Sequence, residues 1–338
     1  MTADRTLPKV PILMPQIMRL RVMPPPVMDA LSLFATPVLV PDDALAGDLA
    51  PWLRDAPAAI TGWRSPVIPA AALTPHGSLG LVSHSAGSVR RLGIDDALQS
   101  GAIRVSHAAP VIARAVAEFT LTQMLAHLRR HRDMDAGLRD DTGWDPLRDG
   151  KLGGLLAAQQ VGIVGLGYVG RLVLDLLRPF GCRIAAYDPL LNPDQARAIG
   201  VTPMDLDTLF RECSIVTLHA ADLPATKGMI TGTYLQSMPD GGLLVNTARA
   251  GLIQPGAMVA ALRQGRIFAA LDTFDAEPLP MTDELRDMPN VYLSPHCAGH
   301  TRDTYVMQGL SAVEEVRRFL AGQPLLQEIR PERAAQLA

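Results

Sequence analysis

Short apolar runs recur along the chain, and between them apolar positions return every three or four residues. Short continuous runs read as strands buried on both faces, and the wider spacing reads as helix. In the first third the candidate strands are Pro11–Met14, Pro37–Val40, Ala58–Thr61, Gly80–Ser83 and Ile103–Ser106, with Pro24–Pro26 as the clearest break. Further on, strands are predicted at 161–164, 183–187, 214–218, 243–246, 268–272 and 291–293. This alternation predicts α/β units, each a doubly wound parallel sheet. Ala115–Arg132 is the clearest long helix; Val116, Phe119, Leu121, Met124, Leu125 and Leu128 give it a wide apolar face. A face that wide needs cover, from a domain or from a second subunit. Gly137–Lys151, with Trp144 and Pro146, reads as a loop and a natural domain boundary, and Thr301–Leu320 as a last helix.

The strand at 161–164 runs into Gly165, Gly167 and Gly170, which spell G-x-G-x-x-G, and Arg171-Leu-Val-Leu-Asp-Leu-Leu continues as helix. Gly165 permits the tight turn, Gly167 keeps side chains away from a pyrophosphate, and Gly170 lets the helix pack closely on the strand. The helix N-terminus then offers free N–H groups to phosphates. The next strand ends at Asp188, eighteen residues after Gly170, near the ~20 at which a carboxylate meets an adenosine ribose. Strand, turn, helix and acid in that order make a dinucleotide site the sharper reading; a tight turn and a solvated aspartate form the bland one.

At 338 residues the chain has room for about two domains. It is 48% hydrophobic and 19% charged, a composition for packed cores and not for disorder. A net charge of −3 gives no electrostatic case for nucleic acid. The basic run Arg129–Arg132 closes a predicted helix, where it complements the dipole. No stretch approaches the ~18 apolar residues of a membrane span, and prolines interrupt Pro11–Pro15, so no signal peptide is read there. Cys182, Cys213 and Cys297 form no C-x-x-C, which argues against a disulfide framework or a metal site and fits a cytoplasmic protein.

Polar groups follow several strands, where ligands of open α/β sheets bind. Asn246-Thr-Ala-Arg249 carries an arginine that can grip a carboxylate with two parallel hydrogen bonds. Asp272 and Glu277 follow the next strand, and Ser294-Pro-His296 the last. Histidine is the side chain suited to trade a proton near neutral pH, and a neighbouring carboxylate fixes its tautomer. Each residue alone has an ordinary reading: a surface arginine, solvated acids, a structural histidine. Together Arg249, Glu277 and His296 supply what hydride transfer to a 2-keto acid needs, a carboxylate clamp and an acid/base pair. In Ser83-His-Ser-Ala-Gly-Ser88 an ordinary loop and an anion-binding turn both fit.

From about residue 80 to 325 the chain resembles the D-isomer-specific 2-hydroxyacid dehydrogenases. The resemblance rests on Ala115-Val-Ala-Glu118, Val161–Gly170 with Tyr187-Asp188-Pro189, His219-Ala…Thr226, Asn246–Arg249, Leu271-Asp-Thr-Phe…Glu277-Pro-Leu-Pro280 and Pro289-Asn290…Ser294–Thr301. It implies two flavodoxin- and Rossmann-like domains: a substrate domain of 1–112 and 298–338, interrupted by an NAD-binding domain of 113–297. It implies that Arg249 binds the substrate carboxylate and carbonyl oxygen and that His296, paired with Glu277, is the acid/base. Ser85, Ala86 and Gly87 fall in the substrate loop, with N–H groups of Ala86 and Gly87 on the carboxylate. Tyr168, Val169 and Arg171 would meet the pyrophosphate, Asp188 the ribose hydroxyls and Asp272 the nicotinamide carboxamide. His219, Thr226, Thr247 and Ala248 would line the cofactor. A homodimer around the cofactor domain is also implied.

The expected activity is interconversion of a small 2-keto acid and its D-2-hydroxy acid. NAD is preferred over NADP, because Asp188 is followed by no cation until Arg197. The alternative is an NAD(H)-binding regulatory protein of the same fold, similar to the family's corepressors. Formate-type relatives pair histidine with glutamine, and Glu277 speaks against them. Two departures stand out: Ala250 where the family has glycine, and a Ser85–Val89 loop without the usual aspartate.

Overall fold

Among the described residues the strands of each sheet pair in parallel, so each connection has to cross a sheet face, and both faces are covered. The computed structural model describes residues 7–73, 77–140, 142–150 and 152–334. They fall into two compact units, 1–112 with 300–338, and 113–299.

The first unit has β1 (Lys9–Leu13), β2 (Thr36–Leu39), β3 (Ala58–Thr61), β4 (Leu81–His84) and β5 (Arg104–His107) in the order β2-β1-β3-β4-β5, the flavodoxin-like order. One face packs Leu13, Ala59, Val82 and Val105 against Leu45, Leu92 and Leu98. The other packs Val10, Ile12, Ile60 and Leu81 against Val27 and Leu31, and against Tyr305, Val313 and Val316 of the helix Arg302–Leu320. Thr301 caps that helix by accepting the Thr304 N–H at 3.0 Å. Met23 and Pro24 separate two helices, Gln16–Val22 and Pro25–Ser32. Pro25 and Pro26 take the first helical positions, where a missing N–H costs nothing.

The second unit has β6 (Gln160–Val164), β7 (Arg183–Tyr187), β8 (Thr202–Pro203), β9 (Ile215–Leu218), β10 (Leu243–Asn246), β11 (Phe268–Leu271) and β12 (Val291–Leu293). Their order is β12-β11-β10-β9-β6-β7-β8, a Rossmann-like sheet. Two apolar clusters flank it, one around Val164, Phe210, Leu244 and Leu262, the other around Val161, Ile163, Val173 and Val245.

The long helix runs from Ala109 to Leu128, earlier at both ends than the apolar pattern predicts. Arg130, at φ 50°, turns the chain out of it, and a second helix spans His131–Arg139. The expected loop at 137–151 is a correction: Trp144–Gly150 is helical too, and Lys151 lies outside the described residues. Gly137 reads as a breaker, yet it sits inside a helix because a Cβ there would meet Leu147 Cδ2 at 2.4 Å. Pro146 falls in the first turn of its helix, where proline is tolerated. No helix among the described residues is long and apolar enough to cross a membrane.

Candidate active site

Six strands of the second unit end at one level. Val164 is in register with Tyr187 and Leu218, Leu218 with Asn246, Asn246 with Leu271, and Leu271 with Leu293. The next residues to leave the sheet are therefore Gly165, Asp188, His219, Thr247, Asp272 and Ser294. Chain order reverses between β6 and β9, and ligands of open sheets bind at such a switch point.

Gly165 has φ 94°, and a Cβ on it would lie 2.6 Å from the Ala220 nitrogen. A Cβ on Gly170 would lie 2.0 Å from the Gly165 carbonyl oxygen, so any side chain there would push helix from strand. A Cβ on Gly167 would meet nothing within 4 Å. The helix Tyr168–Leu177 starts there without a side-chain cap, with Tyr168 and Arg171 exposed. An uncapped helix end under open space fits a pyrophosphate held by the N–H groups of Tyr168 and Val169. Asp188 braces the turn: Oδ2 accepts the Leu166 N–H at 2.7 Å and Oδ1 the Leu190 N–H at 2.9 Å. Each oxygen keeps a lone pair for a ribose hydroxyl.

The other wall residues are differently employed. His219 Nε2 meets Thr217 Oγ1 at 2.9 Å, and burial pushes its pKa down to about 3, so the ring is neutral. The Thr226 hydroxyl accepts the Leu223 N–H at 2.9 Å and donates to the Ala221 carbonyl at 2.5 Å. Thr247 Oγ1 pairs with Thr120 Oγ1 at 2.9 Å, and the Ala248 N–H is donated to Asn246 Oδ1 at 3.1 Å. Thr226, Thr247 and Ala248 thus shape the wall with polar atoms turned into the protein.

Arg249 sits half-buried at the start of a 3-10 turn, Ala250–Leu252, and its Nη1 donates to the Ala248 carbonyl at 2.7 Å. Asn246, 1% exposed, grips this turn from below: it accepts from Ala248 and its Nδ2 donates to the Arg249 carbonyl at 2.9 Å. Ala250 is not among the residues with positive φ, so the departure from glycine carries no backbone strain.

His296 Nδ1 lies 2.7 Å from Glu277 Oε2, and Glu277 Oε1 accepts the Phe274 N–H at 3.0 Å. Burial pushes the Glu277 pKa up. The hydrogen bonds from His296 and the Phe274 N–H, with the charges of His296 and Arg249, outweigh it and leave the value below the ordinary one. His296 has φ 50°, left-handed backbone that costs a non-glycine residue about 1–2 kcal/mol. Asp272, 1% exposed, holds that loop: Oδ1 accepts from Ser294 Oγ at 2.6 Å and the Cys297 N–H at 2.9 Å, and Oδ2 accepts the Ala298 N–H at 2.9 Å. Asn246 and Ser294 are the residues to which sequence reasoning gave no role, although both lie inside the motifs it singled out. Asp272, which the resemblance puts at the nicotinamide carboxamide, also grips the histidine loop through both oxygens.

In the first unit Ser85 is buried and turns both donors, N–H and hydroxyl, to the Thr61 carbonyl, each at 2.8 Å. It has no donor left for a substrate, which leaves the N–H groups of Ala86 and Gly87. His107 Nδ1 lies 3.2 Å from the Gly87 carbonyl oxygen and steadies that turn.

Residues 121–298, more than half of the chain, match the model of the D-isomer specific 2-hydroxyacid dehydrogenase, NAD binding domain. The chain belongs to that family. A glyoxylate reductase of Aeropyrum pernix is 33% identical over 251 residues, 72% of this chain and 74% of the relative. A D-3-phosphoglycerate dehydrogenase of Synechocystis sp. is 34% identical over 211 residues, 62% of this chain but 37% of that protein's length. Among solved structures, the 2-hydroxyacid dehydrogenase of Ketogulonicigenium vulgare Y25 superposes with a TM-score of 0.77 at 26% identity, covering 96% of this chain and 98% of that one.

Proposed function

We propose that the protein is an NAD-dependent dehydrogenase that interconverts a small 2-keto acid and its D-2-hydroxy acid. The observation that carries this reading is the Glu277–His296 pair, 2.7 Å apart, with the charge of Arg249 felt at Glu277. In reduction, the Arg249 guanidinium holds the substrate carboxylate and polarises the C2 carbonyl. His296 gives a proton from Nε2 to the carbonyl oxygen as it becomes a hydroxyl. Glu277, kept ionised by its depressed pKa, accepts the Nδ1–H and stabilises the ring while it is charged. In oxidation His296 takes the hydroxyl proton. NAD(H), when bound, would supply the hydride for C2 in reduction and accept it in oxidation.

Gly165, Gly167, Tyr168, Val169, Gly170 and Arg171 would hold the pyrophosphate, Asp188 the ribose, and His219 with the 226 and 247–248 turns the wall beside it. Ala86 and Gly87 would supply N–H groups to the substrate carboxylate, and the domains would divide their tasks at about 112 and 298. Asp188 favours NADH, since a 2′-phosphate would meet like charge. A homodimer accounts for Leu138, Trp144, Leu152 and Leu155, all more than half exposed.

The test is a turnover panel with NADH and glyoxylate, hydroxypyruvate, pyruvate and larger branched or aromatic keto acids. Turnover of at least one, lost in His296→Gln while NADH still binds, is the expected result. Tight NADH binding with no turnover of any would replace the enzyme by a nucleotide-binding protein.

A further inference from the structure

Two buried histidines end the strands next to the turn that the proposed function gives to the substrate carboxylate. His84 and His107 close β4 and β5 in register, each 4% exposed, two residues beyond Val82 and Val105 and on the same sheet face. His107 Nδ1 lies 3.2 Å from the Gly87 carbonyl oxygen. A carbonyl oxygen can only accept, so Nδ1 carries a proton. Burial lowers the His107 pKa below its ordinary value, so near neutral pH the ring is uncharged and is the Nδ1–H tautomer. The neighbouring carbonyls are taken too. The Ala86 oxygen accepts the Ala108 N–H at 2.9 Å, and the Ser88 backbone accepts from His84, whose Nδ1 lies 2.9 Å from Thr61 Oγ1.

In a planar trans peptide the N–H points opposite to the carbonyl that shares its plane. The Ala86 and Gly87 carbonyls are tied to the end of β5, so the N–H groups of Gly87 and Ser88 point away from it. No acceptor among the described residues takes either N–H. Both residues are half-exposed, and a Cβ on Gly87 would meet nothing within 4 Å. Gly87 does not have positive φ, so the backbone does not require glycine there, and the turn lies under open space.

We propose that His107 is a positioning residue for the substrate: its Nδ1–H fixes the Gly87–Ser88 peptide so that the N–H groups of Gly87 and Ser88 receive the carboxylate together. This rests on the reading of the turn as the carboxylate site, and it adds Ser88 to the donors. A carboxylate that does not itself react is held equally in the ground and transition states, so His107 acts on KM rather than on kcat.

Nitrogen-15 NMR of the imidazoles in the full chain reads the tautomer: a protonated Nδ1 on His107 is expected, and an Nε2–H tautomer overturns the proposal. His107→Leu keeps bulk and removes the donor, while His107→Asn keeps an amide N–H near the place of Nδ1. With NADH and any keto acid turned over, His107→Leu should raise KM by about tenfold or more and leave kcat within about twofold. His107→Asn should recover most of that loss. Oxamate, added with NADH, gives a readout apart from turnover. It should shift the Gly87 and Ser88 amide signals in the parent and in His107→Asn, and not in His107→Leu. A KM unchanged in His107→Leu, or raised as much in His107→Asn, overturns the role. Where His107→Leu does not fold, the tautomer and the behaviour of His107→Asn decide. Oxamate shifts that follow His107 in this way, without turnover of any keto acid, would keep the positioning role and remove the catalytic reading. Turnover with no oxamate shift at Gly87 or Ser88 would do the reverse.

Discussion

Replacing Asp272 by Asn tests how His296 is held. The carboxylate satisfies three donors with two oxygens: Ser294 Oγ and the Cys297 N–H on Oδ1, the Ala298 N–H on Oδ2. Asparagine has nearly the same shape but one acceptor oxygen. Whichever way its amide turns, an NH2 group faces a backbone N–H. One hydrogen bond to a charged acceptor is lost, a net ~1.5–3 kcal/mol, and a buried donor is left unpaired, so the whole change should cost about 3 kcal/mol. For a unit of the size of 113–299, that lowers the melting temperature by roughly 6–12 °C. The loop also loses what offsets the left-handed backbone of His296, so kcat should fall by about tenfold or more with little change in the KM for NADH. Differential scanning calorimetry and steady-state kinetics read both. A variant that melts within about 1 °C of the parent and loses only NADH affinity would refute the clamp and leave Asp272 as a plain cofactor contact.

Arg249→Ala should lower kcat/KM for any keto acid turned over by ~2–4 kcal/mol and leave NADH affinity alone; unchanged kinetics would remove Arg249 from the site. NADH should be favoured over NADPH by at least about tenfold in kcat/KM, and Asp188→Ala should narrow that gap while weakening NADH; equal use of the two cofactors by the parent would overturn the assignment. Burial, with the charge of His107 beside it, lowers the His84 pKa from 6.5 to about 4. The unfolded chain thus binds the extra proton first: stability is full above about pH 6.5 and falls by up to ~1.4 kcal/mol per unit as pH drops toward 4. His84→Gln should flatten that fall in a pH series of chemical melts, and an unchanged slope would count against it. Light scattering at micromolar concentration should give twice 36.2 kDa, and Trp144→Asp should shift it toward the monomer; a monomeric parent would sink the dimer.

The strands were legible because a sheet buried on both faces writes itself as short apolar runs; Ala58–Thr61, 183–187, 243–246 and 291–293 fall where the pattern puts them. The glycine turn was legible because its geometry excludes side chains at Gly165 and Gly170. Gly137 and Pro146 misled because a glycine needed for close packing and a proline in a first helical turn look the same in sequence as breakers. Asn246 and Ser294 stayed without a role because gripping a loop leaves no period and no charge pattern. Asp272 was visible as an acid after a strand, but not the direction in which its oxygens face.

The interrupted first unit has a consequence for biosynthesis. Tyr305, Val313 and Val316, which cover Val10, Ile12, Ile60 and Leu81, are translated only after the whole of 113–299. At about 5–20 residues per second, that side of the early sheet, with Val27 and Leu31 against it, stays only partly covered for roughly 10–40 s on the ribosome. The inserted unit carries all of its own strands in one stretch, so it can be complete while the segment before it still waits. The vulnerable species in the cell is therefore a nascent chain with one finished half and one partly covered apolar face, and a holding chaperone would act on that face before release.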